Sequence, residues 1–409
     1  MKTLSFLILC TWIVITACNV PEEVSNDELA ITTKTAQLIK TENIFGFELY
    51  QHVFHYETEQ ENIMVSPLSI SLALAMTYNG ARKETREAME KTLKVYGLTP
   101  EEINNSYHDL VVALKKLDQK VLLEIANAIF YRNDFTAEKE FISTNEYYFD
   151  AEVSALDFSR EQQALETING WVGDKTHDKI ETILDRISPD HVMFLLNAIY
   201  FKGIWQKKFN EEGTELLPFY LENGTSIHTQ TMQRLDTLPY TSNNLFSAIK
   251  LSYGKGDYNM YIFLPGPEKK LKDVVEELNE ENWNSWKQSF QETQQVDIKL
   301  PRFNYKYEIM LNDVLTEMGM GIAFSEMADF SGISRNNRLA IDYVKHKSFI
   351  EVNEKGTEAA AVTIVAITYT SVGESRKTPF YVNRPFLYII TEESTGAVLF
   401  MGTVKNPNG

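Results

Sequence analysis

Cysteine is nearly absent: the chain has two, Cys10 and Cys18, both at its N-terminal extremity. The remainder therefore has no disulfide and must be held by packing. Clustered lysines and arginines are also missing, and the formal net charge is −18. That excludes a nucleic-acid partner, which needs a basic surface to meet phosphates. No stretch rich in proline, glycine and serine and no long like-charge run divides the 409 residues, so one large domain is expected. Catalytic signatures are missing too: there is no G-x-S-x-G elbow, no H-E-x-x-H pair and no phosphate-binding G-x-x-x-x-G-K-[ST] loop. Gly319 and Gly321 follow a helical pattern, which is the wrong context for a dinucleotide site, and are read as a helix stop. An exported hydrolase with a carboxylate pair remains open, because Asp and Glu are too numerous for such a pair to be picked out. His52 and His55 have the helical spacing of two metal ligands, or of an ordinary surface or core pair. No cofactor is implied.

At the N-terminus, Lys2, the apolar run 4–15 and the small pair Thr16-Ala17 read as an export signal, residues 1–17, too short to span a membrane stably. Ile15-Thr16-Ala17-Cys18 resembles the bacterial lipoprotein signal, which would make Cys18 an acylated membrane anchor. Simple secretion with a free thiol at Cys18 is the alternative. Residues 18–40 read as a polar tether and 41–409 as the folded domain.

After the tether, patterns of helical period cover 43–56, 67–79, 83–96, 100–117, 137–149 and 162–176, with strand character at 121–131. Ser66-Pro67 is a helix start, and the helix it opens is apolar nearly all round, as a central helix would be. From about residue 191 the texture becomes β-branched and aromatic, with strands expected at 192–201, 246–251, 259–264, 296–300, 348–352, 386–391 and 397–404 and helices at 270–278 and 309–318. Helices followed by strands imply an α+β fold with antiparallel or mixed sheets.

One stretch stands apart from the loops, and by composition alone it reads as an ordinary core strand. Between Gly356 and Ser371 there is a single charge, Glu358, and no proline. One alternate set, Thr357, Ala359, Ala361, Thr363, Val365, Ile367 and Tyr369, is small or apolar throughout. The segment could be buried on both faces as a central strand, and a polar stretch, 372–379, follows it. Here the sequence resembles the serpin family: the run Glu354-Lys355-Gly356-Thr357-Glu358-Ala359-Ala360-Ala361 matches the family's hinge before an exposed reactive loop. The resemblance extends over residues 43–407 in seven ordered blocks, at 62–70, 168–172, 196–205, 300–303, 328–333, 344–347, and 384–387 with 400–402.

The resemblance implies three β-sheets surrounded by eight or nine helices, and a single-use trap rather than an enzyme. A serine or cysteine protease would cut the loop and be held covalently while the freed hinge enters a sheet as a new strand. Counting from Glu354 as the family does puts the reactive bond between Thr370 and Ser371, with Tyr369 as the alternative residue before the cut. Thr370 suits an elastase-like partner and Tyr369 a chymotrypsin-like or cysteine protease. The hinge would comprise Glu354, Gly356, Thr357, Glu358, Ala359, Ala360, Ala361 and Thr363. Ser66, Ser69, Asn197 and His346 match the polar cluster beneath the point where the sheet opens. Trp205, Arg302 and Glu354 match the entry point, the last two as an ion pair. A monomer is expected, and the rival within the same fold is a non-inhibitory binding protein or chaperone.

Overall fold

The computed structural model describes residues 31–58, 62–357 and 377–409. Residues 1–17, expected to be an export signal, Cys18, and the expected hinge and loop positions Glu358, Ala359, Ala360, Ala361, Thr363, Tyr369, Thr370 and Ser371 lie outside the described residues.

In chain order the elements are α1 (Thr33–Tyr56), β1 (Asn62–Val65), α2 (Pro67–Tyr78), α3 (Lys83–Thr92), α4 (Pro100–Lys116), β2 (Val121–Arg132), α5 (Lys139–Phe149), β3 (Ala151–Leu156), α6 (Glu161–Lys175) and β4 (Met193–Ile204). There follow β5 (Glu215–Tyr220), β6 (Ser226–Ser242), β7 (Phe246–Tyr253), β8 (Tyr258–Pro265), α7 (Leu271–Glu276), α8 (Glu280–Ser289), β9 (Gln291–Pro301) and β10 (Phe303–Met310). The chain closes with α9 (Asn312–Leu315), β11 (Lys345–Asn353), β12 (Gly356–Thr357), β13 (Thr378–Tyr381), β14 (Phe386–Glu392) and β15 (Val398–Val404).

Local chemistry sets several of these boundaries. The Ser66 hydroxyl accepts the Ser69 N–H with Pro67 in the first turn, and every residue of α2 but Ala73 is buried. Thr99 and Glu102 form a reciprocal capping box that starts α4. Gly319, at φ 106°, ends the helical run begun by α9.

Other boundaries differ from the sequence reading. Helix α1 begins at Thr33, capped by Thr32, with Leu38 and Ile39 buried, so the fold reaches back into the stretch expected to be tether. The helix expected at 309–318 starts later, because β10 runs to Met310. Phe303, Tyr305, Tyr307 and Ile309 are buried and their neighbours exposed, a period of two rather than 3.6.

Among the described residues the strands form two hydrogen-bonded sheets. One has nine strands in the order β1-β15-β14-β8-β7-β6-β9-β13, with β5 on β6. The long strand β6 serves two groups of partners and carries a register shift between Asp236 and Leu238, which joins two of the three expected sheets. The other sheet has six strands in the order β10-β11-β12-β4-β2-β3. The sheets pack face to face through pairs such as Phe201 with Phe400 and Phe303 with Tyr388. A second, smaller core lies between the six-stranded sheet and α6, where Trp171 meets Phe130 edge-on at 6.0 Å.

Candidate functional site

Among the described residues the six-stranded sheet is unfinished at its centre. Strand β4 pairs with β2 along almost its whole length, and β11 pairs with β10. Among the described residues β4 and β11 are linked only through β12, two residues long. Gly356 and Thr357 face Ile204 and Gly203 on one side and Asn353 and Val352 on the other.

The turn into β12 is anchored at many points. Arg302 donates from Nε and Nη2 to Glu354 Oε1, at 2.8 and 2.7 Å, and the Thr214 hydroxyl donates to the same oxygen. The Glu354 side chain is 4% exposed and that of Arg302 43%, so a buried carboxylate is held by a cation reaching in from the surface. The backbone N–H groups of Phe209 and Trp205 donate to Glu354 O and Lys355 O, at 2.9 and 2.8 Å. Trp205 also donates from its indole to Asn353 O at 2.9 Å and stacks on Tyr253, 4.3 Å away at 12°. Burial pushes the Tyr253 phenol far up, and its oxygen lies 2.6 Å from the Thr357 hydroxyl. Gly356 is required here: its φ is 150°, and a Cβ would lie 2.0 Å from Gly203 O.

Below β12, the space between β4 and β11 is a cavity of 280 Å³, walled on one side by residues 190–199, which lead into and begin β4, and on the other by 338–347, which lead into and begin β11. Ser69, Asn197 and His346 all line it. The Ser66 N–H donates to His346 Nε2 at 3.2 Å, and the Ser66 hydroxyl donates to Leu399 O at 2.8 Å, tying α2 to both sheets. An Nε2 that accepts belongs to a neutral ring, and burial pushes His346 down to about 4.

Asn197 does not bond to this group. Its Nδ2 donates to Asn127 Oδ1 at 2.8 Å, and Asn127 donates to Phe149 O at 2.7 Å. The buried Asn197 Oδ1 has no partner among the described residues. The sequence reading missed Asn127. Its signal was an asparagine in an apolar strand, placed by register directly opposite Asn197.

His52 and His55 diverge: His52 Nδ1 is 3.4 Å from Glu317 and His55 Nε2 is 3.5 Å from Glu276. Among the described residues no three His, Cys, Asp or Glu side chains are grouped to hold a metal, and no helix is long and apolar enough to cross a membrane.

Comparison with known proteins bears on the same region. The family model described as "Serpin (serine protease inhibitor)" matches residues 40–407. An uncharacterized serpin-like protein of Methanosarcina acetivorans is 32% identical, the match covering 89% of this chain and 85% of that one. Antithrombin-III of Mus musculus is 33% identical over 92% of this chain and 83% of its own length. The solved structure of human thyroxine-binding globulin superposes with a TM-score of 0.83 at 28% identity, covering 92% of this chain and all of that one.

Proposed function

The chain belongs to the serpin family, and on that premise we propose that it traps a serine or cysteine protease irreversibly, by strand insertion between β4 and β11. The observation that carries this reading is a coincidence of register. Residues beyond Thr357, continued in the register of Gly356 and Thr357, would take slots beside 190–199 on β4 and its lead-in when they are residues 361–370. The same continuation beside 338–347 calls for residues 362–371. The walls of the cavity thus match the segment that ends at Thr370 and Ser371, the proposed reactive bond. Thr363 would fall across from both Asn197 and His346, bringing a hydroxyl to the unmet Asn197 acceptor.

Physical chemistry supplies a direction for the change. An inserted strand gains ladder bonds on both edges. At a net ~0.5–1.5 kcal/mol each, roughly twenty such bonds would release about 10–30 kcal/mol. The uncut form is then kinetically rather than thermodynamically secured. Ala359, Ala360 and Ala361 enter with little side-chain entropy to lose. The protease, joined through an ester or thioester to Thr370, or to Tyr369 in the alternative, would be carried along before water completes hydrolysis. Thr370 fits an elastase-like protease and Tyr369 a chymotrypsin-like or cysteine protease. We further propose export through residues 1–17 and anchoring by acylation of Cys18.

The test is incubation of the protein lacking residues 1–18 with elastase-, chymotrypsin-, trypsin- and papain-like proteases. The expected result is an adduct that survives denaturing electrophoresis, with a released C-terminal fragment beginning at Ser371. A fragment beginning at Thr370 moves the bond to Tyr369. Cleavage between 358 and 376 with no adduct and no gain in heat stability would overturn trapping and favour a binding role for the same fold.

A further inference from the structure

The segments leading into β4 and β11 meet at the base of the cavity through side chains rather than through a ladder. His191 precedes β4 and Asp342 precedes β11. The His191 Nε2 lies 2.8 Å from Asp342 Oδ2, and His191 Nδ1 accepts the Ser188 N–H at 3.1 Å. The second bond leaves the ring proton on Nε2, aimed at the carboxylate.

Both halves of this contact are fixed by their own neighbours. The His191 N–H donates to Ser188 O at 3.0 Å, closing a tight turn. The Asp342 carbonyl accepts from Asn312 Nδ2 at 2.7 Å, and Asn312 Oδ1 takes the Val344 N–H at 2.9 Å. The His191 ring also meets Tyr343 at 5.7 Å and Phe194 at 5.2 Å, both edge-on. The His191 side chain is 10% exposed and that of Asp342 70%, so the pair forms a rim at the base of the cavity, and both residues belong to its wall.

We propose that the His191–Asp342 pair is a clasp that limits how far an inserting strand travels and so positions the end of the insertion step. The inference rests on the strand-insertion reading above. In the register of β12, His191 stands beside slot 369 and Asp342 beside slot 367. A strand can fill the upper slots, past Asn197 and His346, with the clasp closed. To bring residues 367–370 into the sheet it must pass between the two side chains and break their bond. The clasp therefore acts on the last stage of insertion, when a bound protease is being drawn to the far end of the molecule. Slow passage there gives water more time to release it.

The experiment uses a protease that forms the adduct with the unaltered protein, and measures moles of inhibitor consumed per mole of protease trapped. It also measures the rate at which uncut protein loses inhibitory activity on warming. Asp342→Ala and His191→Ala are each expected to lower consumption toward one and to speed thermal inactivation, by roughly threefold. The double variant should go no further than either single one. Asp342→Asn, which keeps an acceptor for Nε2–H, should stay close to the unaltered protein. A merely structural surface contact would lower the melting temperature without moving the partition. Adduct formation with unchanged consumption in both alanine variants, or strictly additive effects, overturns the clasp and leaves trapping intact. Absence of adduct together with absence of heat stabilisation in the unaltered protein overturns both.

Discussion

Among the described residues, the two sheets are built to different degrees of completion. In the nine-stranded sheet, β8, β14 and β15 are buried at every residue, and each inner strand has ladder partners on both edges. In the six-stranded sheet, Met193, Leu195, Leu196 and Asn197 of β4 remain half-buried beside a cavity, and β11 meets β12 over two residue pairs only. The first sheet carries stability. The second keeps backbone bonding capacity and apolar surface in reserve, which is what a structural switch requires. On the proposed reading the same sheet is at once the weaker core and the working part.

The largest effect should follow from blocking the unfinished position. Thr363→Arg would place a guanidinium between Asn197 and His346 in the inserted form, where burial of an unpaired charge is prohibitive. We expect cleavage to continue, adduct to vanish, and the melting temperature of the uncut protein to stay the same. An adduct that persists in this variant would separate trapping from insertion at that register. Truncation of the two sheets sharpens the contrast. Phe263 is fully buried and meets Phe246 at 4.9 Å and Trp286 at 5.5 Å, so Phe263→Ala should cost the uncut protein ~3–5 kcal/mol. Leu196→Ala, at the cavity wall, should cost the uncut form less than half of that, and the cleaved form more than the uncut one. Equal losses in chemical denaturation would remove the distinction between the sheets.

Acidity offers a finer comparison, because each side of the molecule has a buried group whose proton affinity is displaced. Burial pushes His346 on β11 from 6.5 down to about 4. The unfolded chain then takes up the proton first, and stability is lost as pH falls from about 6.5 toward 4. Glu42 on α1 is pushed by burial from 4.5 up to about 7, with the Tyr107 hydroxyl donating to it at 2.8 Å. Its contribution is complete below 4.5 and is lost as pH rises through 7. Each displacement is worth on the order of 3 kcal/mol, with opposite slopes. Between pH 4.5 and 6.5 the unaltered protein should show only a shallow dependence from this pair. Glu42→Gln should reveal the fall on acidification due to His346, and His346→Gln the fall on alkalinisation due to Glu42. Denaturation midpoints that move in parallel for all three proteins would refute the assignment.

Much of this was legible in the chain, and the failures have physical causes. The Ser66-Pro67 start, the almost wholly buried α2 and the Arg302–Glu354 ion pair beside Trp205 could be found because local chemistry and a fixed motif mark them. The helix expected at 309–318 failed because Ile309 satisfies both a helical face and the alternation of β10, and only the pairing of Ile309 with His346 decides between them. Helix α8 was missed because it buries just Trp283 and Trp286 among ten residues. Asn127 and the His191–Asp342 pair were invisible for another reason. Each depends on partners 70 and 151 residues away, and nothing local marks them.

The smallest expected effect tests whether the hinge is merely attached or actively restrained. Arg302→Ala removes two bonds from the buried Glu354 carboxylate and leaves it the Thr214 hydroxyl. Because the arginine is nearly half exposed, the loss to the uncut protein should be only about 1 kcal/mol, and Arg302→Lys should recover part of it. If the pair restrains the turn into β12, the uncut protein should lose activity on warming faster than that modest destabilisation of the whole fold requires. On the proposed reading the cleaved protein, its strand then held by a full ladder, should scarcely notice the change. Equal destabilisation of both forms would mean that the ion pair belongs to the finished part of the molecule, and that restraint of the hinge lies with Trp205 and the Gly356 backbone instead.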